Sequence, residues 1–510
     1  GSLSMSSFTL QDVIDGSVSY THDGSETSTD EFTFSLQDGA GNSGGSHTLL
    51  LSIGLTADTI IGTGNDDELT GSIGPDWIDG EYGNDTLYGL DGEDTLIGSY
   101  GADSIMGGAG SDLLRSGHGA DTVYGEAGND VIELYAGWTD HDKLISGGAD
   151  SDTLRLMNDG SYVHGDFDSS IEYLEVDQAA TSVDLSFAFI NGATVYLAGD
   201  SAGGQSLTVL SSGSSESVDL TGLKLDSSWT SSSTNSLVVQ GNYGDDTVLG
   251  SDHYGDSIDA GYGADSILGQ GGADTLQGGP DGDYVDGGAG DDLLLVNAAD
   301  TNANTTFVGG TGQDTLKLMN DGTYQRYVDI DSSVEFIQAG PGLSSAILYF
   351  GFMDGAGAAL AGAPGGGQSL TIYSSGSSES VDLSGLTLDS SWTSPGTNSL
   401  VVQGNYGDDT VLGSDSFGDS IDGGNDSDSL LGLGGADTIM AGVGSDTVWG
   451  GLGDDSLIGG GGLDWVMFSA RASVDLAAGS ASGDEGADVI SGFENVSLAA
   501  GNDSVVGDTN

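Results

Sequence analysis

The chain has 510 residues, with 91 glycines and 80 acidic residues against seven basic ones, giving a formal net charge of −73. Seven lysines and arginines scattered between Arg115 and Arg471 cannot line a phosphate-tracking groove, which excludes nucleic acid as a partner. Cysteine is absent, so neither disulfides nor thiolate metal sites are available, and no apolar run approaches the ~20 residues of a membrane span.

A charge excess of this size favours an expanded chain. Yet 36% of the residues are hydrophobic, and they recur in short, regularly spaced runs. Such a chain can fold if its carboxylates are neutralised, and a hard divalent cation would do so.

In chain order, the first segment (1–54) carries Val18-Ser19-Tyr20-Thr21-His22-Asp23-Gly24, then Asp30-Glu31-Phe32-Thr33-Phe34 and Asp38-Gly39. It resembles the end of a cadherin-like or proteoglycan-type β-sandwich repeat. Such a domain needs about 100 residues, so a partial sandwich is expected here.

From Asp58 an aspartate falls every nine residues: Asp58, Asp67, Asp76, Asp85, Asp94, Asp103, Asp112, Asp121 and Asp130. Two residues after each comes an aliphatic, from Ile60 and Leu69 through Leu96 to Ile132, and glycine precedes most of them by two. The unit is G-x-x-G-x-D-x-U-x, with U a large aliphatic. It defines a first block (55–154). A second block (241–316) carries Asp246, Asp256, Asp265, Asp274, Asp283 and Asp292. A third (404–466) carries Asp409, Asp419, Asp428, Asp437, Asp446, Asp455 and Asp464. Single units recur at Asp152, Asp314, Asp488 and Asp503.

Each element has a physical reason. D-x-U suits a very short strand with the aliphatic inward, and glycine allows the tight turn that follows. A three-residue strand is not stable alone, so the turns must stack and bury a continuous aliphatic ladder. Stacking brings the aspartates together, where calcium accepts carboxylate and carbonyl oxygens in flexible geometry. Zinc would ask for His or Cys.

Gly107-Gly108-Ala109-Gly110-Ser111-Asp112-Leu113-Leu114 and Gly287-Gly288-Ala289-Gly290-Asp291-Asp292-Leu293-Leu294 resemble the nonapeptide of the RTX (hemolysin-type) calcium-binding family almost letter for letter. The resemblance implies an all-β protein: a right-handed parallel β-roll or β-solenoid of two nonads per turn, in three RTX blocks. It also implies Ca2+ between successive turns, with all the aspartates of the three runs as metal ligands. Aspartates two units apart would share an ion, for about 16 ions in the uninterrupted runs.

Between the blocks lie two β-rich inserts, 155–240 and 317–403. Gly203–Gly250 and Gly366–Gly413 agree at 42 of 48 positions, and both contain Ser-Gly-Ser-Ser-Glu-Ser-Val-Asp-Leu. Strand-like stretches such as Ser236-Leu237-Val238-Val239-Gln240 suit either wider solenoid turns or a small β-sandwich. The last segment (467–510) resembles RTX spacers and terminal units.

Other motifs compete less well. Gly199-Asp200-Ser201-Ala202-Gly203 fits G-x-S-x-G, but a nucleophile elbow must turn into a helix, and Ser201 becomes Pro364 in the second copy. H-E-x-x-H is missing, and the six histidines have no metal-ligand spacing. The Thr63/Asn65 turn of an ice-binding ladder does not repeat, since Glu81 and Ser99 follow. The tryptophans, including Trp77, Trp449 and Trp465, do not all share one position in the repeat and are expected to pack.

The expectation is a non-enzymatic, calcium-folded structural or adhesive module of a secreted or cell-surface bacterial protein, a piece of a larger chain exported by type I secretion. Its partners would be calcium and surface glycans or proteins. The alternatives are the non-catalytic region of an RTX hydrolase or toxin, and a carbohydrate-binding module in the inserts.

Overall fold

The computed structural model describes residues 57–510, apart from 138–143, 163–166, 200–202, 227–228, 230–235, 303, 325–327, 350–358, 363–366, 389–391, 393–398, 500 and 508–510, together with backbone strands of the opening segment. Among the latter, Thr29–Gln37 pairs antiparallel with Ser43–Ser52. Ser201 lies outside the described residues.

The D-x-U triplets form the expected strands. In Thr95–Ile97 the central Leu96 is fully buried and its two neighbours are half-buried, the alternation of a pleated strand with one face inward. Each strand pairs in parallel with the strand two nonads on. Leu96 lies between Ile78 and Leu114, while Ile105 lies between Leu87 and Val123. Alternate nonads therefore build two opposed parallel sheets, and their U residues meet in one continuous core. Fully buried aliphatics such as these contribute about 1.5–3 kcal/mol each.

The turns are close-packed at the backbone. Gly101 has φ +147°, and a Cβ there would overlap the carbonyl oxygen of Gly83, one turn earlier. Only glycine fits so near a neighbouring main chain. Positive φ is not confined to glycine, however. Glu81, Leu90 and Ser99, each following the first glycine of its nonad, adopt φ of 70°, 79° and 73°.

The chain divides into two units. The first comprises Gly1–Phe189, Thr194–Leu207 and Lys224–Ser236. It contains a nine-stranded sheet and a five-stranded sheet. The second comprises Ile190–Ala193, Thr208–Leu223 and Leu237–Asn510, and the second and third blocks lie within it.

The inserts are solenoid turns rather than a sandwich. In the first unit Leu154, Leu174, Leu197 and Leu225 stand side by side in consecutive parallel strands. In the second unit Leu316, Ile337, Leu360 and Leu388 do the same, as do Leu348, Ile372 and Val402. The parallel ladder continues while the connecting loops lengthen. Near the C-terminus an antiparallel excursion, Ala472–Asp475 with Ser480–Gly483, leads back into a strand on which Leu457 and Ile490 pair in parallel.

The tryptophan expectation needs correction. Trp229 and Trp392 are buried, but Trp77 and Trp465 are 37% and 45% exposed. Both occupy the outward position of their strands, beside the inward U residue. Two of the basic residues are held in an ionic ladder: Arg115 Nε meets Glu133 Oε2 at 2.6 Å, and Arg155 Nε meets Glu175 Oε2 at 2.9 Å.

Candidate metal centre

Because alternate nonads stack, their aspartates line up in columns. The main-chain N–H of Asp76 donates to Asp94 Oδ1 at 2.7 Å, Asp94 N–H to Asp112 Oδ1 at 2.8 Å, and Asp112 N–H to Asp130 Oδ1 at 2.8 Å, each step spanning 18 residues. Asp58 opens this column by donating to Asp76, and Asp152 extends it by accepting from Asp130. Asp67, Asp85, Asp103 and Asp121 form the facing column.

In the second unit Asp246, Asp265 and Asp283 form one column and Asp256, Asp274, Asp292 and Asp314 another. The third block repeats this with Asp409, Asp428, Asp446 and Asp464, and with Asp419, Asp437, Asp455 and Asp488. The structure thus brings all the predicted aspartates into columns and absorbs three of the single units. The fourth, Asp503, instead accepts the N–H of Ala472 through Oδ1 at 3.1 Å.

Six column members were missed by the sequence reading: Thr305, whose Oγ1 accepts the N–H of Asp283 at 3.4 Å, and five glutamates. Asp152 donates to Glu172, Asp314 to Glu335 and Asp464 to Glu494, at 2.9, 2.8 and 3.0 Å. Glu216 and Glu379 donate to Asp246 and Asp409, at 2.8 and 2.9 Å. Glutamate therefore closes three columns and opens two. The signal was present as E-x-U, in Glu172-Tyr173-Leu174 and Glu216-Ser217-Val218 for example.

Each column uses one carboxylate oxygen for the backbone and leaves the other over. Asp85, Asp94, Asp103, Asp112, Asp130 and Asp152 have Oδ2 buried with no hydrogen-bond partner, as do Asp265, Asp274, Asp283 and Asp292, and Asp428, Asp437, Asp446 and Asp455. An unsatisfied buried acceptor costs about 1–3 kcal/mol, and more when charged, so a whole row of them calls for a common partner. The space beside them is shaped for one. A Cβ on Gly80 would lie 2.5 Å from Asp85 Oδ2 and 2.9 Å from the carbonyl oxygen of Gly98. The first glycine of the nonad leaves a small cradle lined by carboxylate and main-chain oxygens.

Burial raises these carboxyls. Asp94 is pushed up to about 6, Asp103 and Asp112 to about 7, and Asp283 to about 8, with desolvation as the largest cause and neighbouring carboxylates adding to it. Among the described residues no three His, Cys, Asp or Glu side chains converge to hold a metal. The cradles offer a carboxylate with main-chain carbonyls instead. That all-oxygen set suits calcium and does not suit zinc. The residues fit the ion: the aspartate Oδ2 and the glycine carbonyl would hold it, and it would supply the positive charge that the stacked carboxylates lack.

Fold and site together define a parallel β-solenoid whose turns are built around rows of calcium-type oxygen cradles. Residues 57–96, 97–132, 256–294, 414–448 and 431–466 match the family described as RTX calcium-binding nonapeptide repeat, and residues 1–53 match the family described as cadherin-like. The chain carries RTX calcium-binding nonapeptide repeats preceded by a cadherin-like segment. No curated protein matches it. RTX proteins are typically secreted. Among the described residues no helix is long and apolar enough to cross a membrane.

Proposed function

We propose that this chain is a calcium-folded, non-catalytic adhesive or structural module of a protein displayed outside the cell. The observation that carries the reading is the row of buried, partnerless Oδ2 atoms beside glycine cradles. Those turns are costly without a cation and favourable with one. Extracellular calcium modules bind at about 10⁻⁴–10⁻³ M, so the chain would stay expanded during export and fold once outside. The cadherin-like segment ahead of the repeats supports the adhesive role over that of an accessory region to a hydrolase. In this role the cation holds together stacked turns of a chain that otherwise repels itself.

The test immobilises the chain and exposes it to a glycan panel and to bacterial cells, in calcium and in chelator. Retention on either that is lost in chelator supports the adhesive role. A folded chain that retains nothing, or that turns over a chromogenic ester, counts against it.

A further inference from the structure

The second carboxylate oxygen is not left over in every turn. Asp76, Asp256 and Asp419 are as buried as their column neighbours, at 4%, 4% and 5% exposure. Yet Ser72 N–H donates to Asp76 Oδ2 at 2.5 Å, Ser251 N–H to Asp256 Oδ2 at 2.6 Å, and Ser414 N–H to Asp419 Oδ2 at 2.7 Å. Thr63 does the same to Asp67 Oδ2 at 2.6 Å and adds its hydroxyl at 2.8 Å. The duplicated segments repeat the arrangement on glutamate. Ser212 N–H donates to Glu216 Oε2 at 2.9 Å and Ser375 N–H to Glu379 Oε2 at 2.8 Å.

These turns have one place in common. Asp67, Glu216, Asp256, Glu379 and Asp419 each open a column, and Asp76 is the second member of the column that the exposed Asp58 opens. All six lie at or next to the start of a carboxylate column.

Backbone conformation separates them from the rest. In an ordinary nonad the residue after the first glycine is left-handed, as at Glu81, Leu90 and Ser99, whereas Thr63, Ser72, Ser251 and Ser414 lie outside that region. Ser99 shows that serine alone does not decide. At φ 73° its hydroxyl reaches Asp79 Oδ1 at 2.8 Å, and Asp103 Oδ2 stays without a partner. The cradle itself is unchanged, since a Cβ on Gly71 would lie 2.5 Å from Asp76 Oδ2 and 2.8 Å from Gly89 O. What differs is the N–H turned into it. That group carries partial positive charge, satisfies the carboxylate and repels a cation from the same place.

We infer that the turns opening each column take no ion, because a serine or threonine N–H occupies the cradle in its stead. Each block then starts from turns that the chain closes unaided, and the ion-dependent turns stack on them. This rests on the calcium reading of the remaining turns.

Glycine at these positions restores access to the left-handed conformation and turns the cradle back to a cation. The full chain is compared with Thr63→Gly/Ser72→Gly, with Ser251→Gly/Ser414→Gly, and with Ser99→Gly as control. Bound calcium per chain is measured by equilibrium dialysis against the radioactive ion, and circular dichroism in excess calcium monitors folding. Each double variant should gain two ions over the unsubstituted chain, and Ser99→Gly should gain none. The two double variants sit in different units, so loss of folding in one leaves the other as the test. If the unsubstituted chain binds no calcium, the calcium reading itself fails. If it binds calcium and a folded double variant gains none, the ion-free opening turns are refuted.

Discussion

The main-chain N–H of Asp94 donates to Oδ1 of Asp112 at 2.8 Å, across 18 residues of sequence, while Oδ2 of Asp112 stays buried without a partner. One carboxylate thereby ties two turns together and offers its other oxygen to a cation. Repetition of this relationship down a column makes the effect of a substitution depend on where in the column it falls.

Asp94 accepts from Asp76 and donates to Asp112, whereas Asp58 is exposed and only donates. Asp94→Ala should therefore strand the buried N–H of Asp76 and remove a cradle oxygen. The loss should exceed that of Asp58→Ala by about 1–3 kcal/mol. Thermal melts and calcium counts on both variants check this, and equal losses would argue against the column.

In the calcium-free chain, acid should favour the fold. Asp103, Asp112 and Asp274 have carboxyls raised to about 7, and Asp283 to about 8, chiefly by desolvation. Stability from groups raised in the folded state is fully present below the unfolded pKa of about 3.9. It is lost as pH rises through the folded value. Chelated protein should thus show more β structure near pH 4 than near pH 8, and protons should weaken calcium binding as pH falls below about 7. Circular dichroism of the chelated chain across this range is the measurement, and a flat profile would contradict it.

Leu96 is fully buried between Ile78 and Leu114. Leu96→Asp would place an unpaired carboxylate in the ladder at a cost of several kcal/mol. The first block should lose its melting transition even in saturating calcium. A normal melt would place Leu96 outside the core.

Much of this was legible because the nonad is strict. An aspartate every nine residues, with two strands per turn, fixes both columns and both inner ladders, and Leu96 and Leu87 fall on opposed sheets as the period requires. Legibility ended where loop length varied. Leu154, Leu174, Leu197 and Leu225 share one ladder, but their unequal spacing hides the period, so the inserts read equally well as a sandwich. Glu172 and Glu335 were missed for the same reason, as each follows the first longer loop of its insert, and Glu494 because the antiparallel excursion separates it from Asp464. The opening turns were hidden differently. Ser72 and Ser99 are the same residue at the same position in the unit, and only their φ, set by the surrounding turn, sends one N–H to the carboxylate and the other away.

Whether calcium drives folding of the stacked turns is read most directly from a calcium titration of the chelated chain near pH 8, followed by far-ultraviolet circular dichroism. At a tenfold excess over Kd each site adds about 1.4 kcal/mol, and stacking couples the sites. A β-type spectrum should rise cooperatively as calcium reaches about 10⁻⁴–10⁻³ M, fully reversed by chelator. A β-type spectrum already complete in chelator and unchanged by calcium would contradict calcium-driven folding.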